Sequence, residues 1–209
     1  MMTHTEATRL ATTTTTWPAR AVCLGSAALA AAIFPIIGNT LRPVEGVPAT
    51  ELFAEGANRL LLAGIIAAYA GAGLFLAAAR LRRHLPGLAG TVAGAAGAAV
   101  ALMLAVYTAS FAAGAIVTQM LDDPGNGVGE AALVLVNTAD LARSAPSLAL
   151  LLAAWAARRH LPKAVSVAAV ILAAMFVLPM TAWLAALATP VWLGVAGAFV
   201  RTNEAPQAR

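Results

Sequence analysis

The sequence predicts an all-α polytopic membrane protein, a bundle of six transmembrane helices with both termini in the cytoplasm. Of its 209 residues, 61% are hydrophobic and only 11% are charged. This excess of apolar residues over a soluble domain indicates lipid as a second solvent. The pentapeptide Arg-Arg-His-Leu-Pro closes an apolar run at 82–86 and again at 158–162. Because clustered Arg residues mark the cytoplasmic end of a span, this repeated element orients the chain.

The predicted spans are apolar runs of about 20 residues, the length that crosses the hydrocarbon layer. The first follows a Thr-rich polar segment, 1–20, for which we predict a disordered cytoplasmic tail. Basic residues close the second and fourth runs, Pro86 precedes the third, Lys163 opens the fifth and Pro179 ends it. The six spans are 21–37, 57–79, 87–119, 131–157, 163–178 and 181–200. They predict a transmembrane domain at 21–200 and a second cytoplasmic tail at 201–209.

The first run also carries signal-peptide features, a basic flank and an Ala-rich centre. It continues into Pro35-Ile36-Ile37 without a polar cleavage region, which favours a retained span. With six spans, one side of the membrane holds both termini, both pentapeptides and most of the Lys and Arg residues, so we expect that side to face the cytoplasm from the plasma (inner) membrane. The cations lie at span ends, which predicts membrane lipids as partners and no nucleic acid.

An internal duplication would explain the repeated pentapeptide. At an offset of 76 residues, 76–86 align with 152–162, and an Ala- and Val-rich run follows each copy. Helix pairs 2–3 and 4–5 would then be a parallel repeat, an arrangement known from transporters and channels. The alternative is convergence, since Arg-rich stop signals and Ala-rich spans arise independently.

Two charged residues, Asp140 and Arg143, lie near the middle of the fourth span. A charge at a helix centre costs roughly 2.5–3.5 kcal/mol in lipid, so we expect both side chains to point into the bundle. At positions i and i+3 they share one helix face and can pair. That polar face consists of Asn137, Asp140, Arg143, Ser144 and Ser147.

Three interpretations of this face are open at the level of sequence. It is the core of a binding or conduction site, or it is a clamp in which the ion pair satisfies itself and the serines bond to a neighbouring helix. In the third, a kink at Pro146 shifts the span so that Asn137 and Asp140 reach the outer headgroups.

Two tyrosines, Tyr69 and Tyr107, lie near the centres of the second and third spans. A phenol at that depth needs a hydrogen-bond partner, which either the Asp140 face or a backbone carbonyl would supply. We therefore include both tyrosines among the candidate residues of the polar core.

Span two begins with a polar group, Glu55, Asn58 and Arg59, which forms either an outer mouth for a ligand or a capped helix end. A stripe of small residues runs along span three. Such stripes let helices approach each other closely, within one chain, between copies of the chain or against a membrane partner. The stripe consists of Gly87, Gly90, Gly94, Gly97 and Ala101.

The sequence contains no motif that names a reaction. There is no phosphate-binding loop, no Ser–His arrangement within the spans and no pair of carboxylates at mid-depth. The single cysteine, Cys23, cannot form an intramolecular disulfide, and no Cys/His spacing suits a metal. We therefore predict no catalytic residues, no metal and no cofactor.

Two segments carry a family resemblance. Residues 158–201, which include the second pentapeptide and Pro190-Val191-Trp192-Leu193-Gly194, resemble six-span integral membrane proteins of high-GC Gram-positive bacteria, and residues 55–83 resemble their second span. In those proteins a basic-Leu-Pro step follows span four, and a span with Trp closes the chain. The resemblance implies a bacterial six-helix fold and no function, because none is assigned to those families.

Our leading hypothesis is a non-enzymatic module that binds or transports a small amphiphilic molecule through the Asp140 face. The second is an accessory subunit whose polar face and Gly90–Gly94 stripe dock another membrane protein. The third is a membrane enzyme that modifies lipid. Whether the polar face lines a cavity or is sealed against another helix discriminates among them.

Overall fold

The computed structural model describes the backbone at residues 4–40, 47, 49–120 and 127–201. It describes side chains at 17–40, 47, 51–117, 142–178 and 180–201, and at Ala131, Val134 and Thr138. All regular structure in these ranges is helical, which confirms the all-α class. The elements are α1 (His4–Thr40), α2 (Ala49–His84), α3 (Gly87–Met120), α4 (Gly127–Ala156), a 3₁₀ turn (Arg158–His160), α5 (Lys163–Met175) and α6 (Pro179–Phe199).

Four of the described helices are long and apolar enough to cross a membrane, which indicates a membrane-embedded protein. The four stretches are Trp17–Thr40, Glu51–His84, Gly87–Val117 and Met180–Phe199. Helix α5 has 13 residues, or a length of about 20 Å, which is shorter than the hydrocarbon layer of about 30 Å. The count of six spans stays a prediction, because much of α4 lies outside the described side chains.

Helix α5 ends at Met175, earlier than the expected end of span five at residue 178. The reason is Pro179, which disfavours helical geometry in the residue before it, and Leu178 is extended with φ −97° and ψ 112°. The hydroxyl of Thr181 donates to the Met175 carbonyl over 2.8 Å. A side chain of α6 therefore provides a hydrogen bond to the last carbonyl of α5.

Two helices begin before the expected boundaries. Helix α1 begins at His4, so helical backbone is present at 4–20, where the Thr-rich sequence predicts a disordered tail. Helix α2 begins at Ala49, ahead of the predicted start at residue 57. Extending an existing helix needs only one residue to be ordered for each hydrogen bond gained, whereas starting a helix is costly. The length of an apolar run in the sequence therefore predicts the membrane-crossing part of a helix. It does not predict how far the helix extends beyond that part.

Helix α2 lies at the centre of the described fold and packs against α1, α3 and α6. Small residues make these contacts close. A Cβ added to Gly194 of α6 would lie 2.7 Å from the Cys23 carbonyl oxygen and 2.8 Å from the Ala27 Cβ, both on α1. Gly73 of α2 lies against Ser26 of α1 in the same way. Such contacts hold helices together in lipid, where apolar side chains gain little by leaving their surroundings.

The small-residue stripe on α3 is used inside this chain. A Cβ on Gly94 would lie 2.6 Å from the Arg82 Cβ, and one on Gly97 would lie 2.9 Å from the Ala78 Cβ, both on α2. Gly90 packs against the Leu85 carbonyl, and Ala101 is fully buried. Only Gly87 stands apart, with φ +56° and open space around it. The sequence suggested the Gly90–Gly94 surface as a contact with another copy or a partner. In the structure, the end of α2 covers this surface.

The two pentapeptides lie at one end of the bundle. Nε of Arg80, just before the first copy, donates to the Gly197 carbonyl near the end of α6 over 2.8 Å. The backbone N–H of Arg201, just after α6, donates to the His160 carbonyl in the second copy over 2.9 Å. Arg80, Arg201 and the basic residues of the two pentapeptides therefore gather at one end of the described bundle.

The copies share one feature and differ in another. Leu85 and Leu161 are both buried, 4% and 2% exposed. The first copy continues α2 to His84, whereas the second forms the 3₁₀ turn, and α3 has 34 residues against 13 in α5. The parallel repeat stays a prediction.

Candidate functional site

Arg143 on α4 is completely buried, with no exposed surface. Its guanidinium carbon lies 4.7 Å from the centre of the Tyr107 ring on α3, a cation–π contact. Arg143 is thirteen residues from the end of α4 at Ala156, or about 20 Å along the helix. This cation therefore lies deep in the bundle. Its side chain does not face lipid. The shifted-span interpretation concerns Asn137 and Asp140, whose side chains lie outside the described residues.

Aromatic rings continue the contact from Tyr107 to α2. Tyr107 and Phe111 meet edge to face at 5.0 Å between centroids, with an angle of 88°. Phe111 stacks on Phe53 of α2 at 6.2 Å and 27°. Phe53 and Phe111 are buried, 1% and 3% exposed. We call Arg143, Tyr107, Phe111, Phe53 and Ser147 the Arg143 cluster, which draws on α2, α3 and α4.

Ser147 lies one helical turn after Arg143 and is also fully buried. Its Oγ has no hydrogen-bond partner among the described residues. Other buried hydroxyls bond to the carbonyl four residues earlier: Ser26 to Val22, Thr108 to Leu104 and Thr189 to Ala185, at 2.7–2.9 Å. A buried hydroxyl without a partner costs about 1–3 kcal/mol. Ser147 is therefore a buried polar group whose hydrogen-bonding capacity the described residues leave unused.

The energetics of Arg143 require more than one favourable contact. A central Arg costs roughly 2.5–3.5 kcal/mol on the insertion scale, and a desolvated cation–π contact returns about 2 kcal/mol. The difference has to come from hydrogen-bond acceptors near the guanidinium. Asp140, three residues earlier, is the predicted acceptor, and its side chain lies outside the described residues.

The structure brings together only part of the predicted polar core. Arg143, Ser147 and Tyr107 belong to the cluster, and Ser144 is half-buried beside them on α4. Asn137 and Asp140 lie outside the described side chains. Tyr69 does not belong to the site, because its side chain is 71% exposed on the outer surface of α2. A phenol near mid-span therefore faces outward, which hydropathy along the helix cannot reveal.

The predicted outer mouth, Glu55, Asn58 and Arg59, is exposed on α2. Phe53 lies near these residues along the chain but on the buried face of the helix. Sequence reasoning missed Phe53 and Phe111. The spacing of Tyr107 and Phe111, four residues apart on one helix face, was the signal that could have identified the second of them.

Among the described residues, no group of three His, Cys, Asp or Glu side chains is arranged to hold a metal ion. Comparisons of the chain with models of known families, with characterised proteins and with solved structures gave no match. The resemblance to six-span bacterial proteins stays a prediction.

Proposed function

We propose that the protein is a non-enzymatic membrane module that binds or transports a small amphiphilic molecule at the Arg143 cluster. The observation that carries this proposal is the complete burial of a cationic side chain against the Tyr107 ring inside a helix bundle. Ionisable residues in such positions are rare and mark ligand or ion pathways by default. A guanidinium offers five donors in a planar fork that suits a carboxylate or phosphate.

The surroundings of Arg143 fit both parts of an amphiphile. Ser147 adds a second donor or acceptor one turn away, on the same face of α4. Tyr107, Phe111 and Phe53 form an apolar wall that reaches α2. A ligand would place its polar group between Arg143 and Ser147 and its apolar part along the aromatic rings.

We further propose that the protein lies in the plasma (inner) membrane as a six-span bundle with both termini in the cytoplasm. The support is the gathering of Arg80, Arg201 and the two pentapeptides at one end of the bundle. Positive residues are retained on the cytoplasmic side during insertion.

The second candidate is an accessory subunit that docks another membrane protein. The contact between Arg143 on α4 and Tyr107 on α3 favours it, because the same geometry clamps two helices without any ligand. In that case the polar groups stabilise the fold, and the partner binds elsewhere on the bundle.

Binding is tested by isolating the protein from its host membrane in polymer-bounded nanodiscs and identifying co-purified small molecules by mass spectrometry. Arg143→Gln is expected to reduce a specifically retained amphiphile by about tenfold, since a hydrogen bond to a charged group contributes about 1.5–3 kcal/mol. Arg59→Gln, an exposed Arg on α2, is the matched control and should retain it. Identical small-molecule profiles in all three samples would contradict a binding module.

A double variant separates the binding site from the clamp. Removing one member of a buried ion pair costs about 3–5 kcal/mol, so Asp140→Asn and Arg143→Gln alone should each lower thermal stability. If the pair is only a clamp, Asp140→Asn/Arg143→Gln recovers stability and keeps the cellular phenotype. If it is a working site, the double variant folds and loses both the phenotype and the retained molecule.

A further inference from the structure

A groove of about 490 Å³ opens between α5 and α6. Ala164, Ala168 and Leu172 line one wall, and Val191, Trp192 and Val195 line the other. The indole Nε1 of Trp192 donates to the Val165 carbonyl over 2.9 Å, so its only polar atom is already bonded within the protein. The groove therefore presents an apolar surface along its length.

Three cations gather where the groove begins. Lys163 is the first residue of α5 and directly precedes the lining residue Ala164. Arg201 lies two residues after the end of α6 at Phe199, and its Nη1 donates to the Arg159 carbonyl over 3.4 Å. The backbone bond from Arg201 to His160 holds these two chain segments together. Arg159, Lys163 and Arg201 are all exposed, so their charges are available at the mouth of the groove.

The side-chain charges decide the sign at this mouth. The N-terminus of α5 carries a partial positive charge and the C-terminus of α6 beside it a partial negative one, so the two helix ends offset each other. The carboxylates with described side chains, Glu51 and Glu55, lie near the start of α2, far along that helix from Arg80 and the basic end. Among the described side chains, no carboxylate therefore lies near Arg159, Lys163 and Arg201 to neutralise their charge.

We propose that this groove is a binding site for an anionic phospholipid of the leaflet on the basic side. One acyl chain lies between α5 and α6, and the phosphate is held by Lys163, Arg201 and Arg159. A transmembrane helix of a second protein would fill the apolar groove but would leave the three cations at its mouth without a counter-charge. The site is separate from the Arg143 cluster and does not depend on its function.

The test uses the full chain in nanodiscs. Trp17→Phe, Trp155→Phe and Trp183→Phe leave Trp192 as the single tryptophan. Phosphatidylglycerol with brominated acyl chains quenches an indole that it contacts, and brominated phosphatidylcholine serves as the zwitterionic probe. At equal low mole fractions, we expect phosphatidylglycerol to quench Trp192 more strongly. Each cation near a membrane surface contributes about 1 kcal/mol to anionic lipid binding, so Lys163→Gln and Arg201→Gln should each reduce the preference about fivefold.

Two matched variants control this experiment. Arg83→Gln removes an exposed cation of the first pentapeptide, which does not line the groove, and should leave the preference for phosphatidylglycerol unchanged. Ala168→Phe fills the groove from α5 and should abolish quenching while all cations remain. If Ala168→Phe does not fold, Ala164→Leu at the mouth is used in its place.

Equal quenching by the two lipids would overturn the proposal, as would an Arg83→Gln effect as large as that of Lys163→Gln. Occupation by a second copy of the chain is a separate outcome. It would appear as quenching that falls with rising protein-to-lipid ratio and as crosslinking of Val191→Cys between copies in a Cys23→Ala background. That result would also overturn the lipid site.

Discussion

Arg80 on α2 and Gly197 on α6 are joined by a hydrogen bond of 2.8 Å from the guanidinium Nε to the backbone carbonyl. The two residues are 117 positions apart in the chain. The sequence pattern assigns Arg80 to the cytoplasmic stop signal, where Arg would simply meet water and headgroups. In the fold, the same side chain also fixes the last turns of α6 against α2.

We predict that Arg80→Met lowers the stability of the bundle. A hydrogen bond from a charged donor contributes about 1.5–3 kcal/mol, and Met keeps most of the apolar stem. Thermal unfolding in nanodiscs should therefore show a lower midpoint for Arg80→Met than for Arg83→Met, which removes an exposed cation of the same cluster. Equal midpoints for the two variants would mean that the bond to Gly197 contributes nothing.

Gly194→Ala is expected to destabilise the contact between α6 and α1. The new methyl group would lie 2.7 Å from the Cys23 carbonyl oxygen, so the helices would have to separate, and overpacking of this kind typically costs about 1–3 kcal/mol. The matched control is Gly25→Ala on α1, which has open space around its Cβ position. There the substitution should be neutral or stabilising by up to about 1 kcal/mol, since Ala favours helix over Gly. A stabilising effect at Gly194 would contradict the close approach.

Ser147→Ala should leave the stability of the ligand-free protein unchanged or raise it by about 1 kcal/mol, because it removes a buried hydroxyl without a partner among the described residues. Ser26→Ala is the comparison, since the Ser26 hydroxyl donates to the Val22 carbonyl over 2.9 Å, and its loss should be neutral or destabilising. Chemical denaturation of both variants in the same detergent measures the difference. A large loss of stability in delipidated Ser147→Ala would show that the hydroxyl has a structural partner.

The predicted orientation can be tested with single cysteines in a Cys23→Ala background. Gly125→Cys, between α3 and α4 in the chain, should react with a membrane-impermeant thiol reagent added to intact cells. Pro86→Cys, at the exposed last position of the first pentapeptide, should react only after the cells are opened, because the basic end is expected in the cytoplasm. The reverse pattern would show that the bundle is inserted the other way round.

The sequence determined the class of the protein. Its apolar composition and long apolar runs predicted an all-α membrane protein, and the cost of a charge in lipid was enough to single out Arg143 as a candidate residue. The i, i+4 relation of Arg143 and Ser147 followed from helix geometry alone. The clustering of Arg residues at one end of the bundle was predicted from their positions at the ends of the apolar runs.

The tertiary structure decided which surfaces meet. Tyr69 faces outward and Tyr107 faces Arg143, although both are central in apolar runs. Gly94 and Gly97 contact α2 of the same chain, and Phe53 reaches Phe111 across two helices. The physical reason is that lipid tails are as apolar as a packed leucine, so hydropathy separates membrane from water but does not separate the lipid-facing side of a helix from its protein-facing side. Only the packing of one helix on another makes that distinction.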